Sequence, residues 1–246
     1  AIQVNTAVVQ NVTCHNGNNG SLSATPTTGQ APYTYLWSPN AGGSASSSVS
    51  GLSPGTYTIT VTDNSGCSSI NTLTLTNPPA ITSSSTTQNV SCAGGSNGVI
   101  TVTPSGGTAP YNYVWSPSGG SGASTTGLPA GTYTCAITDA NGCTGTGSGT
   151  LTAPAALAST IASTNVSCNG GSNGSVAVTP SNGTPGYTYS WDSGETTEDI
   201  SGVIAGTYTV TVTDSHGCTA TNTEALTEPA PVVATITSPI TPNGTN

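Results

Sequence analysis

The stretch GTYTITVTDNSGC, residues 55–67, decides the fold that this sequence predicts. It returns as GTYTCAITDANGC at residues 131–143 and as GTYTVTVTDSHGC at residues 206–218. Apolar residues alternate with threonine or alanine, and a period of two is typical of a β-strand with one buried and one solvent-facing side. The Asp-x-x-Gly that follows is a common tight turn. The sequence is therefore predicted to repeat one unit of β-structure three times.

An aromatic strand precedes each copy of this stretch: PYTYLW at residues 32–37, PYNYVW at 110–115 and GYTYSW at 186–191. The aromatic positions recur while the alternate positions vary, so we expect the aromatic side to be buried. Glycine and proline clusters separate the strands, and no helical periodicity is present. Short strands around a buried tryptophan favour an immunoglobulin-like β-sandwich. We predict an all-β fold: a tandem array of three immunoglobulin-like β-sandwich modules, with one disulfide inside each.

Short proline-bearing linkers set the predicted module boundaries. The modules are expected at residues 1–79, 80–154 and 155–231. Residues 232–246 are interpreted as the opening strand of a further repeat or as a tail that links subunits. Such linkers restrict bending, so a semi-rigid rod is expected. No signal peptide is visible and the chain does not begin with Met, so we expect a mature or excised piece of something longer.

The composition excludes several classes of partner. The chain has 246 residues with no Lys or Arg and nine acidic residues, for a formal charge of −9. Nothing can neutralise phosphates, so nucleic acid is excluded as a partner. No basic anchor for anionic lipid exists and the apolar runs are too short to span a bilayer, so no direct membrane insertion is predicted. Expected partners are neighbouring copies or further repeats of the same chain, and surface glycans.

Seven cysteines without an enzyme motif indicate an oxidising, extracellular compartment. Six of them recur at equivalent positions, and the predicted pairs lie within modules: Cys14–Cys67, Cys92–Cys143 and Cys168–Cys218. A closed loop of roughly 50 residues contributes about 4 kcal/mol to the stability of a small module. Cys135 stands where the other copies have Ile59 and Val210, so it is predicted to be a buried free thiol that packs as a small apolar residue.

Acidic residues raise the question of a metal site. Asp63, Asp139 and Asp214 recur and are predicted to cap their turns, since one carboxylate per module cannot supply the oxygens that calcium needs. The third copy alone carries a further acidic set: Asp192, Glu195, Glu198 and Asp199. This set is interpreted as a solvated loop, with a weak site for calcium or a cationic partner as the alternative. No cofactor and no other metal is predicted.

Catalysis and sugar attachment complete the candidate chemistry. His15 and His216 each occur in one copy only and accompany no nucleophile motif, so no enzyme activity and no catalytic residue are predicted. Asn11, Asn89 and Asn165 lie in sequons and are candidate glycosylation sites. All tyrosines and tryptophans fall at repeated strand positions, which weakens a sugar-stacking role.

Three motifs together resemble a known repeat family. They are PYTYLWS at residues 32–38, GLSPGTYT at 51–58 and TDNSGC at 62–67, with close counterparts in the second copy. The third copy departs from them at Gly186, Asp192 and Val203. The combination resembles the SprB repeat, which recurs in very large surface adhesins of Bacteroidetes, including the mobile adhesin of gliding cells. The resemblance implies a secreted, cell-surface, filamentous or adhesive role and carries over no catalytic or ligand residue.

These observations predict a structural extracellular protein, a repeat segment of an adhesin stalk or of a filament shaft. A pilus-like subunit is an alternative, with residues 232–246 donated as a strand to a neighbouring sheet edge. A glycan-binding module that uses the exposed threonine rows is a further alternative.

Overall fold

A computed structural model describes residues 1–117 and 119–235 of the chain. In these ranges β-strands form nearly all regular structure, and the one helical element is the short 3₁₀ turn Pro39–Ala41. The all-β prediction is confirmed. Residues 236–246 of the predicted tail lie outside the described ranges. Within those ranges no helix is long and apolar enough to cross a bilayer.

Each sequence repeat contributes six strands. The first repeat has β1 Val4–Gln10, β2 Gly20–Pro26, β3 Thr34–Trp37, β4 Ser48–Leu52, β5 Gly55–Thr62 and β6 Ser68–Leu75. The second has β7 Thr82–Gln88, β8 Gly98–Ser105, β9 Asn112–Ser116, β10 Ser124–Leu128, β11 Gly131–Thr138 and β12 Thr144–Leu151. The third has β13 Ala158–Thr164, β14 Gly174–Ser181, β15 Thr188–Trp191, β16 Ile200–Val203, β17 Gly206–Thr213 and β18 Thr219–Leu226.

The six strands of each repeat form two antiparallel three-stranded sheets. In the first repeat the strand orders are β1-β2-β4 and β3-β5-β6, and the second and third repeats show the same orders. An immunoglobulin domain places its strands A, B and E in one sheet and C, F and G in the other. In the residues that the structure describes, the repeats follow this arrangement without the D strand at the edge of the first sheet.

The two sheets of each repeat enclose one hydrophobic cluster. In the first repeat it contains Trp37, Leu22, Ile59 and Leu75. The aromatic side of β3 is the buried side, since Trp37 is 1% exposed whereas the adjacent Leu36 is 60% exposed. The indole N–H of Trp37 donates to the carbonyl oxygen of Ser46 at 2.9 Å. Trp115 and Trp191 are buried in the same way in their clusters, and each indole donates to a loop carbonyl.

A tyrosine at the start of the fifth strand fixes the corner before it. The hydroxyl of Tyr57 donates to the carbonyl oxygen of Ser53 at 2.7 Å, and the equivalent bonds are Tyr133 to Pro129 at 3.0 Å and Tyr208 to Ile204 at 2.9 Å. Immunoglobulin-type sandwiches carry such a tyrosine corner at the same place. This contact explains the tyrosine of the repeated Gly-Thr-Tyr.

The chain forms two compact units. One contains Ala1–Gln88 and Asn97–Leu151, and therefore the four sheets of the first two repeats. The other contains Asn89–Ser96 and the chain from Thr152 onward, with the two sheets of the third repeat. The module boundaries at residues 79, 154 and 231 stay predictions.

Candidate functional site

Six cysteines lie in two kinds of connection between strands. We call Cys14, Cys92 and Cys168 loop cysteines, because each lies in the loop that follows the first strand of its repeat. We call Cys67, Cys143 and Cys218 turn cysteines, because each ends the turn between the fifth and sixth strands. In all three loops the carbonyl oxygen of the loop cysteine accepts a hydrogen bond, at 2.9 to 3.0 Å, from the N–H of a glycine three residues later.

The turn cysteines are positioned by the recurring aspartates. In the second repeat one carboxylate oxygen of Asp139 accepts from the N–H groups of Asn141, at 2.9 Å, and Cys143, at 2.8 Å. The other oxygen accepts from the N–H of Thr108 at 2.8 Å. Asp63 and Asp214 make the corresponding contacts in their repeats. The aspartates therefore cap their turns, as the sequence predicted.

These contacts keep the turn aspartates ionised. Burial raises the pKa of Asp139, but N–H donors from Thr108, Cys143 and Asn141 stabilise the carboxylate and bring the pKa below its ordinary value. The pKa of Asp63 is lowered for the same reason, against an opposing effect of burial. At Asp214 the N–H of Thr184 is the largest cause of the lowered pKa.

The disulfides join different repeats. Cys14, the loop cysteine of the first repeat, bonds to Cys143, the turn cysteine of the second, with their Cα atoms 5.4 Å apart. Cys92, the loop cysteine of the second repeat, bonds to Cys218, the turn cysteine of the third, with their Cα atoms 5.6 Å apart. In both bonds a loop cysteine meets the turn cysteine of the repeat that follows it in sequence.

The predicted pairs Cys14–Cys67, Cys92–Cys143 and Cys168–Cys218 are therefore corrected by the structure. The reason is visible in the first repeat, where Cys14 precedes β2. Gly29 follows β2 and lies against the turn aspartate, since a Cβ placed on it would be 3.0 Å from the Asp63 carboxylate. The loop and turn cysteines thus lie at opposite ends of strands about 23 Å long, whereas a disulfide needs Cα atoms within about 7 Å.

Three cysteines have no disulfide partner in the structure. Cys67 and Cys168, which the sequence predicted to be bonded, are exposed free thiols. Cys135 is a buried free thiol in the cluster of Trp115 and Ile137, and burial raises its pKa. It follows the corner residue Tyr133 by two positions, where antibody domains place the second cysteine of their inter-sheet disulfide. Here no second cysteine faces it within that cluster.

The acidic set of the third repeat is dispersed among protein contacts. A carboxylate oxygen of Asp199 accepts from the N–H of Val178 at 2.9 Å. Burial and a hydrogen bond with Glu198 raise the pKa of Tyr189 to about 12. In residues 1–117 and 119–235 no three side chains of His, Cys, Asp or Glu are grouped so that they could hold a metal ion. Asp192 and Glu195 are exposed in the same loop, and calcium binding by the four acids stays a prediction.

The three candidate glycosylation sites, Asn11, Asn89 and Asn165, have a structural contact in common. The side-chain oxygen of Asn89 accepts from the N–H of Thr152 at 2.9 Å, and that of Asn165 accepts from the N–H of Thr227 at 2.8 Å. Asn11 makes a longer contact of the same kind, 3.5 Å, with Thr76. Each asparagine thus anchors the chain just after the last strand of its repeat, and glycosylation at these positions stays a prediction.

One protein family matches the chain, and it does so three times. The family described as the SprB repeat matches residues 6–42, 84–120 and 160–196. The chain carries three SprB repeats. Such repeats are found in surface adhesins of Bacteroidetes, which supports a structural or adhesive role and an extracellular location. No match was found among curated proteins.

Each SprB match contains a loop cysteine and the aromatic strand of its repeat but ends before the turn cysteine. The matched segment of the first repeat runs from within β1 to the 3₁₀ turn after β3, so β4, β5 and β6 lie beyond it. The turn cysteines, which bond to the loop cysteine of the preceding repeat, therefore lie in segments outside the matches.

Solved structures similar to the SprB-repeat chain are multi-domain proteins. The N-terminal eight Ig domains of Down Syndrome Cell Adhesion Molecule (DSCAM) isoform 1.30.30 align at 12% identity and a TM-score of 0.37, over 93% of this chain and 43% of that one. Domains 4–9 of surface layer protein SbsC align at 15% and 0.31, over 92% and 47%. The mouse nectin-like molecule 4 ectodomain aligns at 11% and 0.33, over 95% and 96%. The chain thus spans less than half of the first two structures.

Proposed function

We propose that this chain is a structural segment of an extracellular stalk or filament shaft, and that it carries tension between a cell surface and a distal tip. The observation that carries the proposal is the disulfide pattern, in which Cys14–Cys143 and Cys92–Cys218 join successive SprB repeats. Tension applied to the ends is then borne by sulfur bridges in parallel with the backbone. Disulfides of this kind persist in oxidising compartments, which agrees with an extracellular shaft.

Composition and linkers support the same role. The chain has no Lys or Arg, so a trypsin-type protease finds no cleavage site in it. The linkers between repeats carry proline, as at Pro78 and Pro79, and proline restricts bending. We propose three modules, at residues 1–79, 80–154 and 155–231, that act as a spacer of fixed length.

A repeat exchange tests whether the segment acts as a spacer. In the producing cells, residues 155–231 are replaced by a second copy of residues 80–154, which keeps a loop cysteine and a turn cysteine but removes the acidic set of the third repeat. A spacer predicts unchanged surface display and unchanged attachment. Deleting residues 155–231 instead is expected to shorten the projection seen by electron microscopy. Lost attachment at normal display after the exchange would contradict the spacer role and point to a ligand site in the third repeat.

A second candidate is strand donation between subunits, and one observation favours it. Val232 and Val233, at the start of the tail, are 98% and 82% exposed. Ile81 and Leu157, the residues that follow the two earlier linkers, pack against hydrophobic clusters. The uncovered valines suit a segment that adds to the sheet edge of a neighbouring subunit.

Truncation separates this candidate from the first. A chain ending at residue 231 lacks the tail but keeps every described strand and every cysteine. Strand donation predicts that the truncated chain forms no filaments while its circular dichroism spectrum is unchanged. Filaments of normal length from the truncated chain would exclude donation by the tail.

A further inference from the structure

The two exposed free cysteines are of complementary kinds. Cys67 is the turn cysteine of the first SprB repeat, and Cys168 is the loop cysteine of the third. Both disulfides in the structure join a loop cysteine to the turn cysteine of the next repeat. Extending this pattern forward from Cys168 requires a turn cysteine, and extending it backward from Cys67 requires a loop cysteine. One copy of the chain therefore offers each half of the same bond.

The turn at Cys67 has the geometry of the bonded turns. The Asp63 carboxylate accepts from the N–H of Ser65 at 2.9 Å and of Cys67 at 3.0 Å. The corresponding distances at the bonded Cys143 are 2.9 and 2.8 Å, and at the bonded Cys218 both are 2.9 Å. Cys67 is thus held by the same contacts as a turn cysteine that already has its partner.

The loop at Cys168 likewise reproduces the bonded loop at Cys14. The N–H of Ser167 donates to the Asn173 side chain at 3.0 Å, and the amide of Asn173 donates back to the Ser167 hydroxyl at 2.7 Å. Thr13 and Asn19 make the same reciprocal pair beside Cys14, at 3.1 and 2.8 Å. The loop that carries the free thiol is therefore already ordered as it is in the bonded case.

The linker after the third repeat is also ordered against this loop. The Glu228 carboxylate accepts from the N–H of Gly170 and from the amide of Asn169, at 2.6 and 2.8 Å. In the first repeat the side chain of Asn77 accepts from the N–H of Asn16 at 2.9 Å in the equivalent way. Since loop and linker need no rearrangement, little ordering entropy opposes bond formation at Cys168.

We propose that Cys168 of one copy forms a disulfide with Cys67 of a second copy, which joins copies covalently in the loop-to-turn pattern. The inference rests on the proposed structural role and deepens it by naming the partner. Both thiols lose their protons, and the pair gives up two electrons to the disulfide of a thiol oxidase, which becomes a dithiol as the new S–S bond forms. Cys135 takes no part, because it is fully buried.

Two single variants of the full chain test the proposal. Of the two exposed thiols, Cys67→Ser keeps only that of the loop cysteine Cys168. Cys168→Ser keeps only that of the turn cysteine Cys67. The two are purified with different tags and oxidised with a protein disulfide oxidase, separately and mixed. We expect linked dimers from the mixture and loss of dimer in either variant alone. Chymotryptic mapping should find peptide 58–73 joined to peptide 158–187. Cys135→Ser, the control, should form the same oligomer ladder as the native chain.

Four results would overturn the proposal. Equal dimer from each variant alone would indicate unspecific oxidation of surface thiols. A Cys67–Cys168 disulfide found in the monomer would mean that the two cysteines pair within one chain. No dimer from the mixture would exclude the bond, and a different peptide joined to Cys168 in native material would assign it to another repeat. None of these results depends on attachment or projection length, so the spacer role can fail or stand separately.

Discussion

Asp139 combines burial with a charge, and this combination has consequences for the stability of its repeat. It is 3% exposed, yet its carboxylate accepts three backbone N–H bonds that lower its pKa. The unfolded chain therefore takes up a proton at higher pH than the folded chain does. The stability that the carboxylate contributes is fully present above the ordinary Asp pKa of about 3.9 and is lost as the pH falls through the lowered value.

The substitution Asp139→Asn tests this role of the carboxylate. We expect a lower urea midpoint at pH 7, because the amide offers one acceptor oxygen where the carboxylate offers two. We also expect a smaller further loss between pH 5 and pH 3 than the native chain shows. Asp192→Asn, in an exposed loop, is the matched control and should leave the midpoint unchanged. If the urea midpoints of the native chain and the variant fall in parallel down to pH 3, Asp139 is not the titrating group.

The corner tyrosine is a second residue whose contact can be measured. Tyr133→Phe removes the hydroxyl that donates to the Pro129 carbonyl and leaves that oxygen without this bond. We expect a loss of about 1–2 kcal/mol in the free energy of unfolding of the second repeat. Thr134→Val, on the exposed side of the same strand, should change it by less than about 0.5 kcal/mol. Equal effects of the two substitutions would show that the hydrogen bond from Tyr133 to Pro129 does not contribute to stability.

At the scale of single residues much was predictable from sequence. The period of two placed Tyr57, Ile59 and Val61 on one buried face, and the repeated aspartate was correctly predicted to cap its turn. The tyrosine corner was missed, because its acceptor is a backbone carbonyl and leaves no trace in side-chain identity. The repeated Gly-Thr-Tyr was the available signal.

At the scale of strands, the first-sheet strands β4, β10 and β16 were not predicted. β4 runs from Ser48 to Leu52 and buries only Val49 and Leu52, so the alternation of two is broken. The break is a register shift in which Gly51, with φ of +72°, adds an unpaired residue. Glycine tolerates this left-handed conformation, which explains the Gly-Leu of the repeat motif. A pattern search that assumes strict alternation passes over such a strand.

Glycines at the start of the second strand of each repeat are required by close packing. A Cβ on Gly98 would lie 2.5 Å from Cδ1 of Leu151 and 2.8 Å from the carbonyl oxygen of Leu128. We expect Gly98→Ala to destabilise the second repeat by about 1–3 kcal/mol, as overpacked cores do. Gly120→Ala is the matched control, since the nearest atom to its Cβ would be 4.0 Å away. A Gly98→Ala variant as stable as the Gly120→Ala control would show that the neighbouring atoms move aside for the added Cβ without a loss of stability.

At the scale of the whole chain, the covalent connections were the part that sequence reasoning got wrong. The spacing of the cysteines fits pairs within repeats as well as pairs between them. Counting strand directions would have separated the two, because the loop cysteine precedes β2 and the turn cysteine follows β5. Those directions depend on β4. This strand was not predicted, because its alternation of buried and exposed residues is broken.

Single-molecule pulling distinguishes the two pairings through one variant. With pairs between repeats, the shortest covalent path runs from Cys14 to Cys143, back to Cys92 and across to Cys218. The oxidised chain then extends to roughly 330 Å and the reduced chain to roughly 860 Å. Pairs within repeats predict nearly the same two lengths, so native protein does not decide. Cys67→Ser should leave the oxidised length unchanged, whereas a within-repeat bond at Cys67 would make this variant roughly 190 Å longer.

Mass-spectrometric mapping of the oxidised, monomeric chain, with free thiols alkylated before digestion, tests most directly whether the disulfides join successive repeats. We expect linked peptides for Cys14–Cys143 and Cys92–Cys218, alkylated Cys67 and Cys168, and a Cys135 that reacts only after unfolding. Peptides that link Cys14 to Cys67, Cys92 to Cys143 and Cys168 to Cys218 would contradict this pairing, and the covalent connection between successive SprB repeats would be lost.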